Sequence, residues 1–181
     1  NSSYHNFINR PYYIQTAITN GGYMVNSNRV SYLQKCMNHF KNKVVNYGPL
    51  FRNSNNGTKW LHPLPPTAYF GFSMENSIAE FRITEKIFHT YRNDVIPIYR
   101  GSIINAKFME SYGINLKSFI DASNMTENDL IEYLDQLINE KGMNKMYEIY
   151  SQPLIKNRGG FDAKLINEFN IILRTIESSN K

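Results

Sequence analysis

The chain has a single cysteine, Cys36, so no disulfide can form within it, and nothing asks for an oxidising compartment. No apolar run approaches the ~18 residues of a membrane-spanning helix, and the N-terminus lacks the pattern of a signal peptide. These absences set the expectation of no membrane span and a cytoplasmic setting. Runs of basic residues are missing too: the net charge of +5 comes from Lys and Arg scattered along the chain. A nucleic-acid surface gathers such residues on one face with aromatics between them, so no nucleic-acid partner is expected. Two readings of the charge stay open, a few cations focused on a small phosphate ligand or an ordinary solvated surface.

Several catalytic signatures are also lacking. There is no G-x-S-x-G, no G-x-x-x-x-G-K-[ST] and no G-x-G-x-x-G, which removes the marks of common hydrolases, P-loop proteins and dinucleotide enzymes. The histidines at 5, 39, 62 and 89 have no metal-ligand spacing to one another or to Cys36. His39 and His89 read as partly exposed helix residues, and Cys36, mid-helix among apolar neighbours, as a buried structural thiol. The N-x-[ST] sequons at Asn1, Asn56 and Asn124 are what an Asn-rich chain produces by chance.

What is present is globular. The 181 residues are 41% hydrophobic and 19% charged, enough for one domain (1–181) with a proper core. "PYYIQTAIT" (11–19) reads as a strand ending in the Asn20-Gly21-Gly22 turn. A helix follows over 27–40, capped by Ser27 or Asn28, with Val30, Leu33, Met37 and Phe40 on one apolar face. "KVVNYG" (43–48) is a short strand, and the Asn-, Gly- and Pro-dense 49–66 a loop. "TAYFGFSM" (67–74) is a strand buried on both faces, and "TEKIFHTYRN" (84–93) the helix after it. "VIPIYRG" (95–101) and "SFID" (118–121) are further strands. Residues 126–142 form a helix with a capping box, Thr126 with Asp129, and Gly142 just past its end. Helices are also expected over 144–152 and 161–178, the last with a 3.6-residue period through Leu165, Phe169, Ile172 and Ile176. Strands alternating with helices specify a parallel sheet covered on both faces, and such sheets bind ligands at the carboxyl ends of their strands.

Two strand-to-helix connections carry the chemistry. The first, Asn20 to Arg29, puts an arginine at a helix start, and the second puts Lys86 in the first turn of its helix. A cation at the positive end of a helix dipole is locally unfavourable, and two of them at one sheet edge point to a shared bound anion. Backbone N–H groups at both helix starts would add to that site. The alternatives are ordinary: either cation faces solvent, Glu85 is a favourable first-turn acid, Thr84 a plain N-cap, and Asn76 and Ser77 turn residues.

"FSMENSIAEFRITEKIF" (72–88), "IPIYRGS" (96–102) and "KSFIDASNM" (117–125) stand in order and at the right spacing for a family pattern. They resemble the F-E-N-[ST] strand end, T-E-K helix start, I-P-[IV]-Y-W-G strand and K-S-F-[IV] strand of the bacterial α-1,3-fucosyltransferases. The stretch 17–56 resembles the segment upstream of these, so the resemblance covers roughly Pro11 to Pro153. It implies a Rossmann-like α/β domain, the C-terminal half of a GT-B glycosyltransferase, that binds GDP-fucose and transfers the sugar to a glycan acceptor with inversion. It further implies that Arg29 and Lys86 bind the pyrophosphate and stabilise the departing GDP. Glu85 and Asn76 would hydrogen-bond ribose or sugar hydroxyls, and Asn20, Ser77, Arg82 and Thr84 would complete the donor site. Fixed cations at the leaving group need no metal, no D-x-D is present, and no cofactor is expected.

Three departures accompany the resemblance. Arg82 stands where the family usually has Tyr, and Arg100 where it has Trp. The family's N-terminal acceptor-binding domain, which supplies the general base, has no counterpart here, and neither Glu75 nor Glu80 matches the base by position. A missing acceptor domain is therefore an expected partner, and the chain is expected to be part of a longer protein. Two rivals remain: a degenerate nucleotide-sugar-binding module without transferase activity, and a nucleic-acid-binding domain suggested by the charge alone.

Overall fold

The computed structural model describes residues 2–18, 28–53 and 64–156. Asn20, Ser27 and the helix expected over 161–178 lie outside the described residues. Five strands form one sheet, all neighbours parallel: β1 (Tyr12–Thr16), β2 (Val44–Asn46), β3 (Ala68–Met74), β4 (Ile96–Arg100) and β5 (Ile120–Asp121), in the order β2-β1-β3-β4-β5. Helices cover both faces. α1 (Ser2–Ile8), α2 (Arg29–Phe40), α5 (Glu127–Ile138) and α6 (Met143–Tyr150) pack on one face, through a core that includes Phe7, Leu33, Phe70 and Leu134. α3 (Lys86–Arg92) and α4 (Asn105–Ser111) pack on the other, where Ile87 and Met109 meet Tyr99 and Phe119. The expected parallel, doubly covered sheet is what forms.

β3 and β4 carry the centre of the sheet, and both are buried along nearly their whole length, so they read as continuous apolar runs. Gly71 is what lets α3 lie close on β3: a Cβ there would sit 2.5 Å from Thr90 Cγ2 and 2.8 Å from Val95 Cγ2. The capping box of α5 is present, Thr126 accepting from Asp129 N at 3.2 Å while Asp129 Oδ2 accepts from Thr126 N at 2.9 Å.

Several expectations are corrected. Strand pairing in β1 ends at Thr16. Asn28 does precede α2, but in the left-handed region (φ 51°) and without a side-chain capping bond. The inward face of α2 is rotated from the expected one: Arg29, Tyr32, Leu33, Cys36 and Phe40 are buried, while Val30 and Met37 flank them. Ser118 belongs to a 3-10 turn (Leu116–Ser118), which leaves β5 two residues. α5 stops at Ile138, and Asn139 Oδ1 accepts from Gly142 N at 2.8 Å. Gly142 instead begins α6 with φ −82°, and its lack of a side chain serves packing, since a Cβ would lie 1.9 Å from Gln136 O. α1 and α4 are additions to the sequence reading.

Candidate functional site

The chain reverses its winding between β1 and β3, and a crevice opens at the carboxyl ends of strands where this happens. The connection after β1 delivers Arg29, and the connection after β3 delivers residues 75–86, so both feed the same crevice. Arg29 is 6% exposed, and its Nη1 donates to Asn76 Oδ1. Burial pulls the Arg29 guanidinium below its ordinary pKa, because the charged form loses hydration. Two residues 47 positions apart, Arg29 expected at the pyrophosphate and Asn76 at the ribose or sugar hydroxyls, are thus in direct contact.

The second group is built on Glu75. This carboxylate is 2% exposed and accepts from Thr84 N at 3.1 Å and from the Thr84 hydroxyl at 2.8 Å. Lys86 Nζ donates to the Thr84 hydroxyl at 3.0 Å and lies 3.4 Å from Glu75 Oε2 and 3.6 Å from Glu85 Oε1. Thr84 therefore does not cap α3 by its position, since Glu85 holds the N-cap place; its hydroxyl ties the lysine to the buried acid. Glu85 keeps a half-exposed side chain beside Lys86. The two groups adjoin through the Glu75–Asn76 turn. Arg82, exposed, donates from Nη1 to Ser77 Oγ at 3.3 Å and stands apart from both.

Two contributors were not singled out from the sequence in this role. Glu75, which does not match the family's base by position, is buried, and its four polar contacts make it the keystone of the loop. Asn105, fully buried, pins the same loop from α4: its Nδ2 donates to Arg82 O at 2.8 Å, Ala79 O at 3.3 Å and the Tyr99 hydroxyl at 3.2 Å. Burial pushes the Tyr99 hydroxyl up to about 12, so it stays protonated. No local pattern marks Asn105, because its partners lie 23 and 26 residues upstream. The loop so held presents Phe81 to solvent at 59% exposure with φ 55°, a conformation non-glycine residues adopt at a cost. Ile78, Ile103 and Ile104 are exposed in the connections at the same edge.

Among the described residues no group of three or more His, Cys, Asp and Glu side chains is arranged to hold a metal ion. Nor is any described helix long and apolar enough to cross a membrane.

A parallel sheet covered by helices on both faces, with Arg29 and Lys86 beside its switch-point crevice, is a Rossmann-like α/β domain by class. The model of the family "Glycosyltransferase family 10 (fucosyltransferase) C-term" matches residues 14–153, and the chain belongs to that family. Among solved structures, it is similar to an α1,3-fucosyltransferase with GDP (TM-score 0.69, 19% identity), covering 93% of this chain and 48% of that one. It is also similar to an α1,3-fucosyltransferase with GDP-fucose (TM-score 0.66, 19% identity), covering 85% of this chain and 42% of that one. The chain thus spans less than half the length of these structures. No curated protein matches it.

Proposed function

We propose that this chain is the donor-binding domain of an inverting fucosyltransferase, holding GDP-fucose in the β1/β3 crevice. The observation that carries this reading is the contact of Arg29 with Asn76, which unites the two connections in a chain of this family. Arg29 and Lys86 bind the diphosphate, each charge-assisted hydrogen bond contributing roughly 1.5–3 kcal/mol. Glu85, Asn76, Ser77, Arg82 and Thr84 are assigned to the donor's remaining polar groups, and Asn20 with them.

In the reaction an acceptor hydroxyl attacks the anomeric carbon of the sugar. The bond from that carbon to the β-phosphate oxygen breaks, its electron pair goes to the phosphate, and the configuration inverts. Positive groups fixed at the diphosphate lower the energy of the developing charge more in the transition state than in the bound donor. The hydroxyl proton passes to a base on an acceptor-binding half, because Glu75 is committed to the loop and Glu80 stands exposed outside the contacts around Lys86. The exposed Ile78, Phe81, Ile103 and Ile104 rim the edge that such a half would face, which supports the domain's place in a longer protein.

Calorimetric titration with GDP, GDP-fucose and UDP-galactose tests the reading. GDP and GDP-fucose bind, UDP-galactose does not, and Arg29→Ala and Lys86→Ala each weaken binding about tenfold or more. Equal binding of all three nucleotides, or none of any, would sink the assignment.

A further inference from the structure

β4 ends at Arg100, in register with Met74 at the end of β3. The carbonyl of Arg100 accepts from Glu75 N at 2.9 Å, so the strand end is bonded to the turn that carries Asn76. The Arg100 guanidinium lies over the Tyr32 ring, 4.9 Å from its centre. Tyr32 is three residues after Arg29 on the buried face of α2, so Arg100 lies against α2 about one turn along from Arg29.

Nε and Nη1 of Arg100 are shielded from solvent and have no hydrogen-bond partner. A guanidinium is charged at every relevant pH and presents its donors as a rigid fork, so unmet donors on it are costly. The Tyr32 hydroxyl accepts from the Arg100 guanidinium and its ring offers a π face, yet neither meets Nε or Nη1. Glu127 is near enough for Arg100 to influence its carboxyl, yet the Ser31 hydroxyl, donating to Glu127 Oε1 at 2.7 Å, is the main influence on it. Lys86 differs in having Glu75 and Glu85 beside it, so an anion arriving there meets two carboxylates. On the α2 side of the turn no such pairing of Arg100 with a carboxylate exists among the described residues.

We infer that Arg100 is a third cationic ligand of the site, which takes a diphosphate oxygen on its Nε–Nη1 side after a small shift on the Tyr32 ring. The inference rests on the proposed donor reading and goes beyond it, since the fucosyltransferase pattern has Trp at this place. The diphosphate would then be gripped mainly from the α2 side, by a pair of forks, with Lys86 at the other end.

The test is titration of the full chain with inorganic pyrophosphate, GDP and guanosine, in the wild type, Arg100→Gln and Arg29→Ala, with the melting temperature of each free protein alongside. Arg100→Gln should weaken pyrophosphate and GDP about tenfold or more and leave guanosine unchanged. Its melting temperature should stay the same or rise, which a purely structural role for Arg100 does not predict. Should the glutamine variant not fold, Arg100→Lys carries the comparison, with diphosphate binding expected to fall several-fold as the fork is lost. Unchanged diphosphate binding in the Arg100 variant, with binding lost in Arg29→Ala, overturns the inference and leaves the donor reading standing. Failure of the wild type to bind either pyrophosphate or GDP overturns both. Pyrophosphate binding without GDP binding removes the donor reading and, with it, the inference that rests on it.

Discussion

Two arginines frame the sheet, one at each end, and they are treated in opposite ways. Arg10, at the amino edge, has a 6% exposed side chain, and its Nη1 donates to Ala68 O at 2.9 Å and Asp94 O at 2.6 Å. Its Nη2 reaches Asp94 Oδ2 at 2.8 Å, and its guanidinium lies 4.8 Å and 5.1 Å from the ring centres of the stacked pair Phe7 and Tyr150. Tyr150 completes the cluster by donating to Asp94 Oδ1 at 2.8 Å. Arg100, at the carboxyl edge, keeps two donors without an acceptor. A buried charge that is fully bonded ties elements together, here the approaches to β1, β3 and β4 with α1 and α6. A half-buried charge with shielded donors left unbonded, as at Arg100, costs stability. The amino edge is built for holding, and the proposal assigns receiving to the carboxyl edge.

That contrast is broken most severely at the amino edge. Arg10→Ala should cost roughly 2–4 kcal/mol in a urea melt while leaving the affinity of the remaining folded protein for GDP unchanged. Asn105→Ala should show the intermediate pattern. Losing two donated bonds to the loop and one to the Tyr99 hydroxyl of β4 should cost about 1–2 kcal/mol and weaken GDP several-fold, measured by melting and calorimetry on the same sample. A full loss of stability with intact binding would contradict the positioning role given to Asn105.

Smaller effects sharpen the division between scaffold and site. Burial pushes the Cys36 thiol up to about 12, so native protein at pH 8 should react with a disulfide reagent far more slowly than unfolded protein. Fast labelling would put Cys36 on the surface and upset the packing of α2. Least of all should be the acid effect at Glu127, whose carboxyl lies below its ordinary value chiefly because Ser31 donates to it. A depressed carboxyl stabilises the fold above the unfolded-state value of 4.5 and loses that contribution as pH falls through the folded value. Ser31→Ala should therefore flatten the loss of stability below about pH 4.5 and leave the neutral-pH behaviour of GDP binding alone.

The parts legible in the sequence are those with local signals. β3 and β4 announce themselves as unbroken apolar runs, and the α5 start by the Thr126–Asp129 box. Arg29 and Lys86 were legible through their position against a helix dipole, and the E-N-S and T-E-K stretches through the family pattern. What escaped depends on distant neighbours. α1 is a seven-residue segment whose hold is tertiary, Phe7 stacking on Tyr150 at 4.1 Å, and α4 lacks any side-chain cap. The anchoring role of Glu75 is not legible because nothing in the sequence states that Thr84 and Lys86 fold back onto it. Gly142 looked like a helix stop because a glycine after a helix usually is one; here Asn139 ends the helix first, and the glycine makes room for Gln136.

The central claim is that the carboxyl edge receives a nucleotide diphosphate and the amino edge does not. Backbone amide spectra of the isotope-labelled chain, recorded through a titration with GDP, test it most directly. Shifts should gather at Arg29, at residues 75–86 and at Arg100, with Arg10, Asp94 and Tyr150 unmoved. Shifts centred on Arg10 and Asp94, or a spectrum that GDP leaves unchanged, would contradict the account.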